Sequence, residues 1–190
     1  MPSCKSGPSN SNHNSHKSHK REEDGDRHGG KSARKSKETE TQGDQDETTR
    51  IHLSVFIFRG VPDVWYRRHV IMYFTSPDDP GFHKSVHVQR DNERLPWGVT
   101  LENGQAHWEL DASYLSHVDA GYITVRKGQE RWPVNTVASV QVEGREADWN
   151  CQNFVYEGLQ AIVHLGLQEE AWYTWVQDEI MNQLLEGAVG

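Results

Sequence analysis

The chain has 190 residues and a formal net charge of -8, divided between two unlike compositions. Residues 1–50 hold ten Lys/Arg, nine Asp/Glu and almost no large apolar side chain, which leaves about -9 on residues 51–190. That acidity argues against nucleic acid as a main partner, because phosphate contacts need clustered cations, and no apolar run of about 18 residues is present to span a membrane.

The first 50 residues run in Ser, Asn, His, Lys, Gly, Asp and Glu. Such a segment cannot bury enough apolar surface to offset its ordering entropy, so it is expected to be a disordered polar tail. Its histidines (His13, His16, His19, His28) have no fixed ligand geometry. Residues 51–190 form the size of one ordinary domain. They contain all seven Trp, six Tyr and five Phe. The two cysteines, Cys4 and Cys151, are split between tail and domain, which fits a reducing compartment. No N-terminal apolar run resembles a signal peptide, and Met-Pro-Ser lacks a myristoylation glycine. Cytoplasm, or else nucleus, is the expected location.

IHLSVFIFR (51–59) is β-branched and aromatic and reads as a strand. Gly60-Val61-Pro62-Asp63 is a turn. RRHVIMYFT (67–75) is apolar on both faces and reads as a central strand. Ser76 to Gly81 is a loop. The Asp78-Asp79 pair within it is turn chemistry rather than a catalytic carboxylate pair. SVHVQR (85–90) alternates cleanly. AHWELD (106–111) and GYITVRK (121–127) complete about five strands, with Asn103-Gly104 as the turn before the former. VNTVASVQV (134–142) leans to helix on its 3,4 spacing.

DWNCQNFVYEGLQAIVHLG places Cys151, Phe154, Val155, Leu159, Ile162 and Val163 on one helical face. Asp148 or Asn150 caps its start and Gly166 ends it. A last helix spans about 169–186, with Trp172, Trp175, Val176, Ile180 and Leu184 as its stripe. The expected fold is α+β: an antiparallel sheet of about five strands packed with two or three C-terminal helices.

Cys151 is the residue expected to carry chemistry. At a helix start, unpaired N–H groups and the helix dipole favour a thiolate, and the Cys151 N–H faces a developing oxyanion. The bland alternative is a buried structural cysteine. A thiol nucleophile needs a base. His69 and His87, on neighbouring strands, are the candidates for base and orienting residue, with an imidazole nitrogen of His69 expected within about 4 Å of the sulfur. His83, beside a Pro/Gly loop, is expected to be exposed.

Asn150-Cys151-Gln152-Asn153-Phe154 resembles the N-C-E-H-F motif of the lecithin:retinol acyltransferase family, circularly permuted relatives of the NlpC-like papain-fold enzymes. His69-Val70-Ile71-Met72-Tyr73 resembles the family's H-W-x-x-Y strand, and Val86-His87-Val88 its second histidine strand. The resemblance covers roughly residues 65–165 and implies a permuted papain-like fold and a thiol mechanism. In it Cys151 attacks a carbonyl, His69 takes and returns the proton, and His87 orients His69. Tyr73, Asn150 and Trp149 are the residues expected on the substrate side. No cofactor and no metal are implied. Thr75 stands where the family has Gly, Val70 where it has Trp, and Gln152-Asn153 where it has Glu-His. The missing apolar C-terminal anchor favours a small-molecule or peptide substrate, an amide, ester or thioester, over a lipid.

Two other readings compete. A non-catalytic binding module with the same fold would use the tryptophans as a recognition surface, although Trp65, Trp97, Trp108 and Trp132 fall where Trp often packs structurally. A metal site of His69, His83 and His87 would need a helix to align the i,i+4 pair, and the Pro-Gly loop argues for a strand. Neither a phosphate-cradling Gly loop nor a GxSxG elbow is present. Oligomeric state is not legible.

Overall fold

A computed structural model describes residues 47–92 and 95–188. The disorder expected for residues 1–46 lies outside the described residues. The described chain is α+β: five strands, β1 (Thr48–Phe58), β2 (His69–Thr75), β3 (His83–Gln89), β4 (Gly98–Asn103) and β5 (Tyr114–Arg126), precede three helices, α1 (Trp132–Ala138), α2 (Cys151–His164) and α3 (Glu170–Leu185). β1 starts at Thr48, inside the stretch read as tail.

The strands form one antiparallel sheet in the order β4-β3-β2-β1-β5. Central β2 is flanked by β1, with Val55 opposite Met72, and by β3, with Met72 opposite Val86. Its two faces are both buried, which explains the unbroken apolar run in the sequence. Val70, Met72 and Phe74 join Leu53, Val55, Val86 and Val88 under the helices in the main core. Ile71 and Tyr73 face the other way and form a second cluster with Phe56 and Phe58, covered by Trp108 and Tyr114. β1 and β5 slip register between Leu53 and Ser54, opposite Gly121. Gly121 sits there at φ 79°, which a side chain adopts only under strain.

Two elements differ from expectation. Residues 106–111 are not a strand; Trp108–Leu110 form one 3-10 turn. Trp108 packs edge-on against Phe56, with centroids 4.9 Å apart, so it covers the sheet's second face instead of extending its edge. The missing strand is β4, whose residues are exposed or half-buried. Val99-Thr100-Leu101-Glu102 alternates over only four residues, and at an edge strand that alternation marks little burial.

α2 lies across β2 and β3 and against α1; α3 packs on β5. A Cβ at Gly158 would sit 3.0 Å from Val137 Cγ1, so the bare backbone sets how closely α1 and α2 approach. Val176, Ile180 and Leu184 bury the α3 stripe, whereas Trp175 is 51% exposed and lies off it. Among the described residues no helix is long and apolar enough to cross a membrane.

Candidate active site

The start of α2 is built by Asn150. Its backbone is extended, with φ -148°, and its Oδ1 accepts from the N–H groups of Gln152 (2.8 Å) and Asn153 (3.4 Å). Asn153 Oδ1 accepts in return from the Asn150 N–H at 3.0 Å, closing a capping box. Asn150→Ala is expected to cost about 1 kcal/mol of stability, measured by urea unfolding, because two N–H groups lose their acceptor. A change below about 0.3 kcal/mol would mean water replaces the cap fully.

The cap delivers Cys151 to the first helical position, where it is 8% exposed. Its thiol donates to the Arg68 carbonyl at 3.7 Å. Gln152, also buried, donates from Nε2 to the same carbonyl (3.0 Å) and to that of Trp65 (2.7 Å). Burial pushes the Cys151 thiol up to about 11, against the lowering effect of the N–H groups of Val70, Cys151 and Gln152. Here desolvation outweighs the helix-start effect, so the resting sulfur is a neutral thiol and not the thiolate expected from position alone.

His69 and His87 meet. His69 Nε2 lies 3.1 Å from His87 Nδ1, and the rings are near perpendicular. Burial, then the neighbouring His87, push His69 down to about 4; burial also lowers His87, with Glu102 opposing. Both rings are therefore neutral at pH 7, one donating and the other accepting. Strand alternation puts the His69 ring on the Ile71–Tyr73 side of β2, within 6.3 Å of Phe58. Among the described residues the Cys151 sulfur makes no hydrogen bond to His69; its partner is the Arg68 carbonyl. With the thiol pushed up and the imidazole pushed down by burial, both shifts oppose proton transfer, so no thiolate–imidazolium pair stands ready in this state.

Cys151 and His69 do share a cleft of about 990 Å³, whose lining includes Trp65, Arg90, Trp97 and Trp149 as well as Asn150. Neither His87 nor Tyr73 lines it. The Tyr73 hydroxyl sits 2.7 Å from His83 Nδ1, and His83 Nε2 sits 2.9 Å from the Pro80 carbonyl. A carbonyl only accepts, so Nε2 carries the proton and the Tyr73 O–H donates to Nδ1. The Ala106 N–H donates back to Tyr73 Oη at 3.3 Å. Tyr73 and His83 thus tie loops to the sheet's second face, and His83 is half-buried in that chain of bonds rather than loose in solvent. Among the described residues no group of three or more His, Cys, Asp or Glu is placed to hold a metal ion.

Trp149 lines the cleft. It is buried, donates from Nε1 to Glu157 at 2.8 Å, and lies under the Arg145 guanidinium, 5.0 Å from the ring centre. Arg145 also pairs with Glu157 and donates to the Gln141 carbonyl, so residues 141–149 are pinned onto α2. The sequence marked neither this latch nor Arg68 and Gln152; the Arg68 carbonyl is met from 83 and 84 positions away, and the Gln152 amide reaches Trp65 across 87. No protein-family model matches the chain, and neither a curated protein nor a solved structure matches it.

Proposed function

We propose that the chain is a thiol-dependent acyl-transfer enzyme, a hydrolase or acyltransferase acting on an amide, ester or thioester, on a permuted papain-like arrangement. One observation carries the reading. The Cys151 thiol rests on the carbonyl of Arg68, the residue directly before His69, across 83 positions of sequence and inside a cleft that Cys151 and His69 both line. The chain order supports it: a histidine on each of two neighbouring strands, then a cysteine opening the helix laid across them.

In this reading the resting state is a protonated thiol and a neutral imidazole, and the base engages when substrate fills the cleft. The step requires the start of β2 to shift and carry the His69 ring from the Ile71–Tyr73 side of the sheet into the cleft, where it accepts the thiol proton as the sulfur–carbon bond forms. The Asn150 cap occupies the N–H groups of Gln152 and Asn153, not that of Cys151, which is the donor for the oxyanion. Collapse breaks the bond to the leaving group, which takes the proton back from His69 and leaves a thioester on Cys151. Water or an amine then attacks the thioester, and the sulfur recovers its proton.

The test is acylation by p-nitrophenyl acetate, followed by intact mass. An acetyl group is expected on Cys151 and absent in Cys151→Ala, with the rate in His69→Ala lower by about 10²–10⁴. Acylation that ignores both substitutions, or none at all, leaves the second reading. That reading, a binding module with the same fold, draws on the buried neutral thiol and the tryptophans around it.

A further inference from the structure

Two buried side chains at the start of α2 meet one carbonyl. The Cys151 thiol and Gln152 Nε2 reach the Arg68 oxygen at 3.7 and 3.0 Å, so the Gln152 carboxamide sits beside the sulfur. Its nitrogen also donates to the Trp65 carbonyl at 2.7 Å. Carbonyl oxygens only accept, so these two partners fix which end of the carboxamide is nitrogen and which is oxygen. Both N–H groups of Nε2 are engaged, and turning the plane over would set its oxygen against two others. Trp65 lies outside β2, so the shorter of the two bonds keeps this orientation when the start of β2 shifts. Oε1 is the end left over. Among the described residues it accepts no hydrogen bond, and the buried polar side-chain atoms without a partner there are Trp97 Nε1, Ser116 Oγ and Tyr156 Oη. Oε1 is therefore reached by solvent, and Gln152 lines the cleft that Cys151 also lines.

We propose that Gln152 Oε1 is the acceptor for the N–H of the scissile bond, so that the substrate is a secondary amide and not an ester or thioester. A fixed acceptor selects a ligand that brings an N–H to it. An ester oxygen or a thioester sulfur in the same place sets lone pairs against lone pairs. The nitrogen side of the bond then lies by Trp65 and Tyr66, exposed cleft residues whose rings meet edge-on at 5.7 Å, which suits an apolar substituent on that nitrogen. The inference rests on the acyl-transfer reading for what becomes of the ligand, and on Gln152 for its capture. In that reading the carbon–nitrogen bond breaks, the nitrogen takes the proton that His69 received from the sulfur, and a primary amine leaves the acyl group on Cys151.

The experiment titrates the isotope-labelled full chain with N-benzylacetamide and with benzyl acetate, which differ only in N–H against O, and follows the Gln152 carboxamide N–H pair by NMR. N-benzylacetamide is expected to move that pair and to bind with a Kd about tenfold below that of benzyl acetate. Gln152→Met keeps a side chain of similar length with neither donor nor acceptor, and is expected to bring the ratio to about one. A role in packing alone would weaken both ligands together and leave the ratio as it was. Equal Kd values in the parent, a Gln152 pair that stays in place throughout the amide titration, or an amide preference that survives Gln152→Met would each overturn the assignment. The first two readouts use the unaltered side chain, so they decide the matter even where Gln152→Met fails to fold. Cys151→Ala is expected to keep the amide preference while it loses acetylation by p-nitrophenyl acetate, so failure of capture and failure of the chemistry read out separately.

Discussion

Arg68→Met is expected to lower the unfolding free energy by about 3–5 kcal/mol, the largest effect of any single polar substitution considered for this fold. Arg68 is 1% exposed. It donates from Nε and Nη2 to the two oxygens of Asp63, at 2.9 and 3.1 Å. It donates from Nη1 to the carbonyls of Gln183, Leu184 and Glu186, at 3.2, 2.8 and 2.8 Å. Carbonyls in the last turn of a helix have no intrahelical donor, so the residue just before β2 caps the end of α3. The pairing also holds the Asp63 carboxyl below its usual range.

Methionine fills a similar volume and makes none of these bonds, which leaves a carboxylate without its partner and three carbonyls without a donor. Arg68→Lys recovers little, because one ammonium cannot reach both groups in the geometry of a planar fork. Urea unfolding checks this: the midpoint should fall with the slope unchanged. A loss under about 1 kcal/mol would mean that water and local rearrangement satisfy the orphaned groups, and that α3 is not held through Arg68.

Arg68 also shows where sequence reading stops. β3 alternates in sequence but buries Ser85 to Val88 on both faces, whereas the apolar run of β2 and the 3,4 stripe of α2 state their burial in their own spacing, and the structure follows them. So does Asn150, because a cap acts within three residues. β4 carried only the four-residue alternation Val99-Thr100-Leu101-Glu102, and neither of its faces is deeply buried. Residues 106–111 alternated like a strand but are held by one aromatic ring packed on Phe56. The thiol illustrates the same limit in electrostatics. Position at a helix start argues for a thiolate, and only the depth of burial, set by the sheet beneath, reverses the direction. His69 and His87 could be named as neighbours from their strands, whereas the carbonyl that receives the thiol could not, because no side-chain type records it.

The His69–His87 contact gives the second large effect, a loss of stability between pH 6.5 and about 4. Burial, with His87 adding to it, pushes His69 down to about 4, whereas in the unfolded chain it titrates near 6.5. Below 6.5 the unfolded state therefore binds a proton that the folded state refuses, and folding is opposed. The contribution is fully present above pH 6.5, declines as pH falls, and is gone below about 4, for a total of about 3 kcal/mol. His87, lowered by burial as well, acts in the same direction. The carboxylates paired in this fold, Asp63 and Asp78 among them, sit below the usual range and lose their contribution only at lower pH, so the upper part of the window belongs to histidine. His69→Gln removes the titrating group and keeps a side chain able to hydrogen-bond His87. Unfolding free energies measured at steps from pH 7 to pH 4 should fall by about 3 kcal/mol less in the variant than in the parent. Parallel curves would place the His69 ring in water, free to protonate, and would remove the neutral imidazole from which the proposed base acts.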